Sequence, residues 1–318
     1  MRSTFLLLLC ASTAAVSLVA SAGLADEGPR PGLPRHTEPG GSWNSVVQGG
    51  ASEARRAKQW VRVPMQATSL YTTNRNLAPP EESGHRIWEN TNYLYLMAET
   101  GARHHYGLSA PFTVRTTAFG TIPVSATLRL AQRRTSEDLP TPLIVQTLDE
   151  WYAGRVRPPS WGEVHTRYYD LNATDALFVE VEELTVDGVD LGLRAGCRTS
   201  TAAPVALHGE GFEVPDPEID ENNVLASGHF TAGKGGLITG TADIPAFANC
   251  RTESDEDVSR LLTAAISGPG NSLTLHVSPP AGCGRLLPDV GAYDPTVHCP
   301  SQIPPGITLP PARFTPTP

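Results

Sequence analysis

Apolar and polar residues alternate one by one along much of this chain. In "TIPVSATLRLA", Val124, Ala126, Leu128 and Leu130 fall on one side while Ser125, Thr127 and Arg129 fall on the other, which is the period of a half-buried strand. The same period runs through "APFTVRTTA", with Phe112 and Val114, and through "NSLTLHVS", with Leu273, Leu275 and Val277. "ALFVEVEELTVDGVDLGL" reads as two alternating runs joined by Asp187-Gly188, a dipeptide that accepts the positive φ of a type I′ turn. These segments predict an all-β, antiparallel architecture, either one sandwich or two stacked β subdomains.

One segment keeps a different period. In "TESDEDVSRLLTAAISGPGN", Val258, Leu261, Leu262, Ala265 and Ile266 recur at helical spacing, so a short amphipathic helix is expected over about residues 255–267. Ser254 or Asp255 would cap it, Asp255 to Asp257 would place negative charge in its first turn, and Gly268-Pro269 would end it. A lone helix of this kind closes one end of a sandwich or barrel.

The ends of the chain follow other rules. Met1-Arg2, the apolar run from Phe5 to about Ala20 and the small residues Ala20-Ser21-Ala22 have the order of an export signal over residues 1–22. The run is too short for a membrane span. Residues 23–59, rich in Pro and Gly at first, read as a flexible leader. Residues 300–318 read as a disordered proline-rich tail. Between them a first β unit is expected over residues 60–160 and a second, carrying the disulfides, over 161–299.

Cysteine usage fits export. Past the signal, Cys197, Cys250, Cys283 and Cys299 remain, an even number that predicts two disulfides with three possible connectivities. The working expectation pairs Cys197 with Cys250 and Cys283 with Cys299. The formal net charge of −9 is unevenly spread. Thirteen basic residues stand against eight acidic ones over residues 23–135, and ten against twenty-five from Ser136 onward. A basic front half could meet an anionic cell-wall polymer, a glycan or a lipid, whereas nucleic acid is excluded as a partner for so acidic a chain.

Motifs that carry chemistry are sparse. "GHFTAGKGGLITG" approaches a phosphate-binding loop but has Gly235 where the magnesium-holding Ser or Thr belongs, and no helix follows; strand, turn and strand are expected instead. Asp216, Glu218, Asp220 and Glu221 alternate like calcium ligands without the Gly and Glu positions of an EF-hand. Glu150, Trp151, Trp161, Glu163, Tyr168, Tyr169 and Asp170 combine carboxylates with aromatic rings, as glycan sites do. No nucleophile elbow and no His-Glu-x-x-His pattern occurs, and no cofactor is implied.

"VRTTAFGTIPVSATLRLAQRR", "LTVDGVDLGLRAGCRT", "GGLITGTADIPAFANC" and "LLTAAISGPGNSLTLHV" together resemble a group of exported actinobacterial β-rich proteins of uncharacterised function, over roughly residues 114–277. The resemblance implies an envelope location and supports the pairing of Cys197 with Cys250. It brings no catalytic residue. The expected function is a non-catalytic binding or structural role in the cell envelope. The alternatives are an extracellular hydrolase of envelope glycan or lipid ester, and a lipid carrier with an apolar β cavity. A polar cleft gathering Glu150, Glu163 or Asp170 would mark the hydrolase, and an apolar cavity the carrier.

Overall fold

A computed structural model of the protein describes residues 33–34, 36, 41–78, 85–97, 106–118, 121–153, 164–214, 224–278, 280–282, 285–286 and 293–294. Strands β1 (Ser42–Ala54) and β2 (Gln59–Asn76) are joined by a 3-10 turn at Arg55–Ala57, and β3 (His85–Met97) follows. β4 (Phe112–Ala118) and β5 (Ile122–Gln132) make a hairpin ahead of β6 (Leu143–Ala153), β7 (Val164–Tyr168) and β8 (Leu171–Val186). Next come β9 (Val189–Asp190), β10 (Arg198–Thr199), β11 (Ala203–Gly209), β12 (Phe212–Val214) and a single helical turn, α1 (Val224–Ser227). β13 (Phe230–Thr231), β14 (Gly235–Ile244), β15 (Phe247–Ala248), helix α2 (Ser259–Ile266), β16 (Gly268–Val277) and β17 (Ala281–Gly282) complete the main sheet. A separate ribbon pairs β18 (Arg285–Leu286) with β19 (Tyr293–Asp294).

The expected all-β antiparallel architecture with one short helix is what the chain forms, and the sheet closes on itself. β1 pairs with β2, β2 with β3, β3 with β6, and β6 with β7. β8 pairs with β11, β11 with β14, β14 with β16, and β16 with β1 again. β7 and β8 are halves of one long strand broken only at Tyr169-Asp170, and β11 and β12 are halves of another broken at Glu210-Gly211. The two breaks lie together: Gly211 N–H donates to Asp170 Oδ1 at 3.0 Å. A Cβ on residue 211 would stand 2.1 Å from the Tyr168 carbonyl oxygen, so only glycine allows the two strands to bend side by side. Counted this way eight strands make the ring, an even number, as an all-antiparallel closure requires. A ring of this size encloses room for packed side chains or one small ligand.

The ring closes along a short seam. β6 follows β7 from Asp149↔Tyr168 to Ala153↔Val164, and Tyr169 N–H donates to the Leu148 carbonyl at 3.0 Å. Beyond that point the same edge of the long strand pairs with β5, from Gln132↔Leu177 to Val124↔Val186. Residues 143–147 of β6 therefore part from the long strand, and β4–β5 covers the other end of the barrel.

Helix α2 stands at that end. Leu262 and Val258 pack into one cluster with Phe112, Val114, Ala126, Leu128, Val181, Leu184 and Phe247. Its start lies later than the sequence suggests: Val258 is the N-cap residue, and no side chain caps it. Residues 252–257 are spent on a turn in which Asp255 takes a left-handed φ of 68°, and Asp257 Oδ1 accepts from the Ser259 amide at 3.0 Å. Gly268 and Pro269, expected to stop the helix, open β16.

Cys197 and Cys250 lie at disulfide distance, S–S 2.07 Å, inside the cluster that α2 joins. The pair holds β10 against β15 and reaches the helix directly. The Val258 amide donates to the Cys250 carbonyl at 2.8 Å, and the Cys250 amide to Ser259 Oγ at 3.1 Å. Cys283 and Cys299 lie outside the described residues, as do the signal segment and the proline-rich tail.

Two organisational expectations are corrected. The flexible leader was expected to reach residue 59, yet Ser42–Ala54 is a ring strand paired on both edges, with β2 and β16. Its Gly49-Gly50 and its inward Gln48 and Ser52 break the apolar alternation that would have revealed it. The division near residue 160 is absent from the sheet. β6 pairs across it with β7, and β1 pairs with β16 from the far end of the chain.

Candidate functional site

The inward faces of the ring enclose a cavity of about 420 Å³, within the size range of small-molecule sites. Every long ring strand contributes. Val46 and Gln48 come from β1, Val61, Val63, Gln66 and Leu70 from β2, and Asn92, Leu94 and Leu96 from β3. Leu143, Val145 and Thr147 come from β6, Leu171, Ala173 and Leu177 from β8, and Val205 and Leu207 from β11. Ile238 and Ala242 of β14 and Leu273, Leu275 and Val277 of β16 close the circle. The hairpin adds Val114, Val124, Ala126 and Leu128, and α2 presents Leu261, Leu262, Ala265 and Ile266 to the same space. The helix is thus a wall of the cavity as well as a plug.

The space exists because several inward positions are small. Ala126, Ala173, Ala203 and Ala242 occupy places where a Leu or Phe would meet its opposite number and fill the barrel to ordinary interior density. Gly235 belongs to the same wall for a different reason. It has φ +73°, and a Cβ there would approach the Val277 carbonyl oxygen to 2.3 Å. It follows the tight turn that the "TAGKGG" stretch was expected to make: Phe230 faces Gly236 and Thr231 faces Gly235 across it, and Thr231 Oγ1 accepts from the Lys234 amide at 3.0 Å.

Away from α2 the interior becomes polar. Asn92 Nδ2 donates to the Val145 carbonyl at 3.2 Å, and Thr72 Oγ1 donates to Asn92 Oδ1 at 2.9 Å. Asn90 Nδ2 donates to Asp149 Oδ2 at 2.9 Å. Burial raises the Asp149 carboxyl from 3.8 to about 6 against the opposing pull of the Asn90 hydrogen bond. The folded protein therefore holds this proton more tightly than the unfolded chain does. That contribution to stability is complete below pH 3.8 and is lost as the pH rises to about 6. Asp149→Asn should unfold at higher denaturant concentration than the parent at pH 7.5, by up to about 3 kcal/mol. The two proteins should converge below pH 4. Equal stability at pH 7.5 would contradict this reading of the buried carboxyl.

The described members of the expected glycan cluster lie away from the cavity. Glu150 and Trp151 are consecutive on β6, so they point to opposite faces. Glu150 Oε1 meets His85 Nε2 at 2.8 Å, and its Oε2 accepts from Tyr169 OH at 2.6 Å. Those bonds, Tyr169's first, lower the Glu150 carboxyl, and the same contact raises the Tyr169 phenol. The Arg167 guanidinium lies 4.7 Å above the Tyr169 ring, and Arg86 lies 5.9 Å from Trp151. Tyr168 packs on Phe212 at 4.9 Å, and Asp170 is occupied in holding the strand break. None of Glu150, Trp151, Tyr168, Tyr169 or Asp170 lines the cavity. Trp161, Glu163 and the calcium candidates Asp216, Glu218, Asp220 and Glu221 lie outside the described residues.

No family model, curated protein or solved structure matches this chain. The functional reading therefore rests on the cavity. Among the described residues no group of three or more His, Cys, Asp or Glu side chains gathers as metal ligands, and no helix is long and apolar enough to cross a membrane. The lining residues were legible in the sequence only as core. The signal that could have separated cavity from core is the recurrence of alanine on inward faces of several strands at once.

Proposed function

We propose that this protein is an exported, non-catalytic carrier that holds one apolar, lipid-class molecule inside its barrel. The observation that carries the reading is the apolar cavity of about 420 Å³ spanning all the long ring strands. A hydrolase would need carboxylates at defined separation about a substrate bond, and Glu150 and Asp170 are instead bound into contacts away from that space. Export is supported by the order of residues 1–22 and by the Cys197–Cys250 pair, since disulfides persist in oxidising compartments. An actinobacterial envelope, suggested by the sequence resemblance, is the setting we assign to it. Leu143, Val145 and Thr147 line the cavity from the part of β6 that no longer pairs with the long strand, and we assign entry of the cargo to this part of the wall.

An environment-sensitive naphthylamine dye tests the proposal. Its emission should rise and saturate at one dye per chain, and dispersed long-chain lipid should displace it. A flat titration with neither saturation nor displacement would remove the carrier reading.

A further inference from the structure

Gln66 and Thr68 are successive inward positions of β2, 3 % and 0 % exposed. Gln66 lines the cavity opposite Gln48 of β1, and Thr68, directly behind that lining, is paired with two residues that belong to it, Val46 of β1 and Leu96 of β3. Gln66 Oε1 and Thr68 Oγ1 have no hydrogen-bond partner among the described residues. A buried polar atom left unpaired costs about 1–3 kcal/mol. At successive inward positions of β2, ahead of the apolar Leu70, two such atoms are a standing cost that leucine and valine would avoid.

Resting on the carrier reading above, we propose that Gln66 and Thr68 form the seat for a hydroxyl group, so that the cargo is a neutral, hydroxyl-bearing lipid and not a fatty-acid anion. A hydroxyl both donates and accepts. Its O–H can donate to Gln66 Oε1 while its oxygen accepts from the Thr68 hydroxyl. An ionised carboxylate only accepts, so it leaves Gln66 Oε1 unpaired. It would also find no counter-ion. The ionisable lining residues are Glu53 and Asp175, and no Lys, Arg or His lines the cavity among the described residues. Asp175 is already paired with Arg133 at 3.2 Å. An unpaired anion in such a space is strongly disfavoured.

The test compares hexadecanol, hexadecane and hexadecanoate at pH 8 by displacement of the naphthylamine dye from the parent, Gln66→Leu and Thr68→Val. The parent should prefer hexadecanol to hexadecane by at least about tenfold, the equivalent of one net buried hydrogen bond, and should bind hexadecanoate most weakly. Gln66→Leu should lose the preference for the alcohol while binding hexadecane at least as well, and should melt at a higher temperature without ligand. Thr68→Val should lose part of the preference. Equal affinity for alcohol and alkane, or tightest binding of hexadecanoate, would overturn the hydroxyl seat and leave the carrier reading standing. Failure of all three to displace the dye would overturn both. Because both substitutions are close in volume, a cooperative melting transition at or above the parent's temperature shows that any lost preference is not lost folding.

Discussion

Ala173→Phe will abolish lipid uptake without unfolding the barrel. Ala173 lies on the inward face of β8, paired with Leu207 of β11, and packs beside Leu171, Phe230 and Ile238. A benzyl group there projects into the cavity of about 420 Å³ and occupies volume the cargo needs. In a filled core such an insertion costs about 1–3 kcal/mol through strain. Here it enters open space and gains dispersion contacts, so the melting temperature should hold or rise. Affinity for hexadecanol should fall by at least about a hundredfold, close to 3 kcal/mol. Titrating the variant with dye and alcohol reads the first effect, and a thermal melt reads the second. A variant that binds as the parent does would place the ligand somewhere other than the barrel.

The second large effect concerns the cystine. Replacing Cys197 and Cys250 together by alanine should lower stability by about 4 kcal/mol, the chain-entropy expectation for a bridge spanning 53 residues. The consequence for binding follows from where the bridge sits. The Cys250 backbone holds the first turn of α2 through Val258 and Ser259, and α2 is the wall that closes one end of the cavity. Losing the bridge should therefore speed ligand release more than it slows uptake. Denaturant melts and stopped-flow release of the dye measure the two effects. Unchanged release in a clearly destabilised variant would show that the helix is held without the bridge.

How far the sequence could be read depends on which signal each element carries. β5 and β16 announce themselves because Val124, Ala126, Leu128 and Leu130, and Leu273, Leu275 and Val277, alternate cleanly with polar neighbours. The hairpin at Asp187-Gly188 forms as its turn chemistry requires, with both residues at positive φ. β1 was illegible because it turns Gln48 and Ser52 inward, toward a cavity that tolerates polar groups, and carries Gly49-Gly50 where β16 comes close. A Cβ on Gly50 would stand 1.9 Å from the Thr274 carbonyl oxygen. Closure of the ring is a long-range property: β1 meets β16 across more than two hundred residues, as at Gln48↔Val277, and no local pattern encodes that partner. Adjacency in sequence carries no site geometry on a strand, since neighbours such as Glu150 and Trp151 are separated by the sheet itself. Gln66 and Thr68 were invisible for the same reason that makes them informative. Polar residues at strand positions read as outward until the register places them inside.

The central claim is that one lipid sits within the barrel, and native mass spectrometry tests it directly. The purified mature protein and Ala173→Phe should each be equilibrated with a dispersed extract of total lipid and sprayed under non-denaturing conditions. The parent is expected to carry a single adduct of lipid mass per chain and the variant none. A parent that flies only as the bare chain, or a variant that keeps the same adduct, would contradict the account.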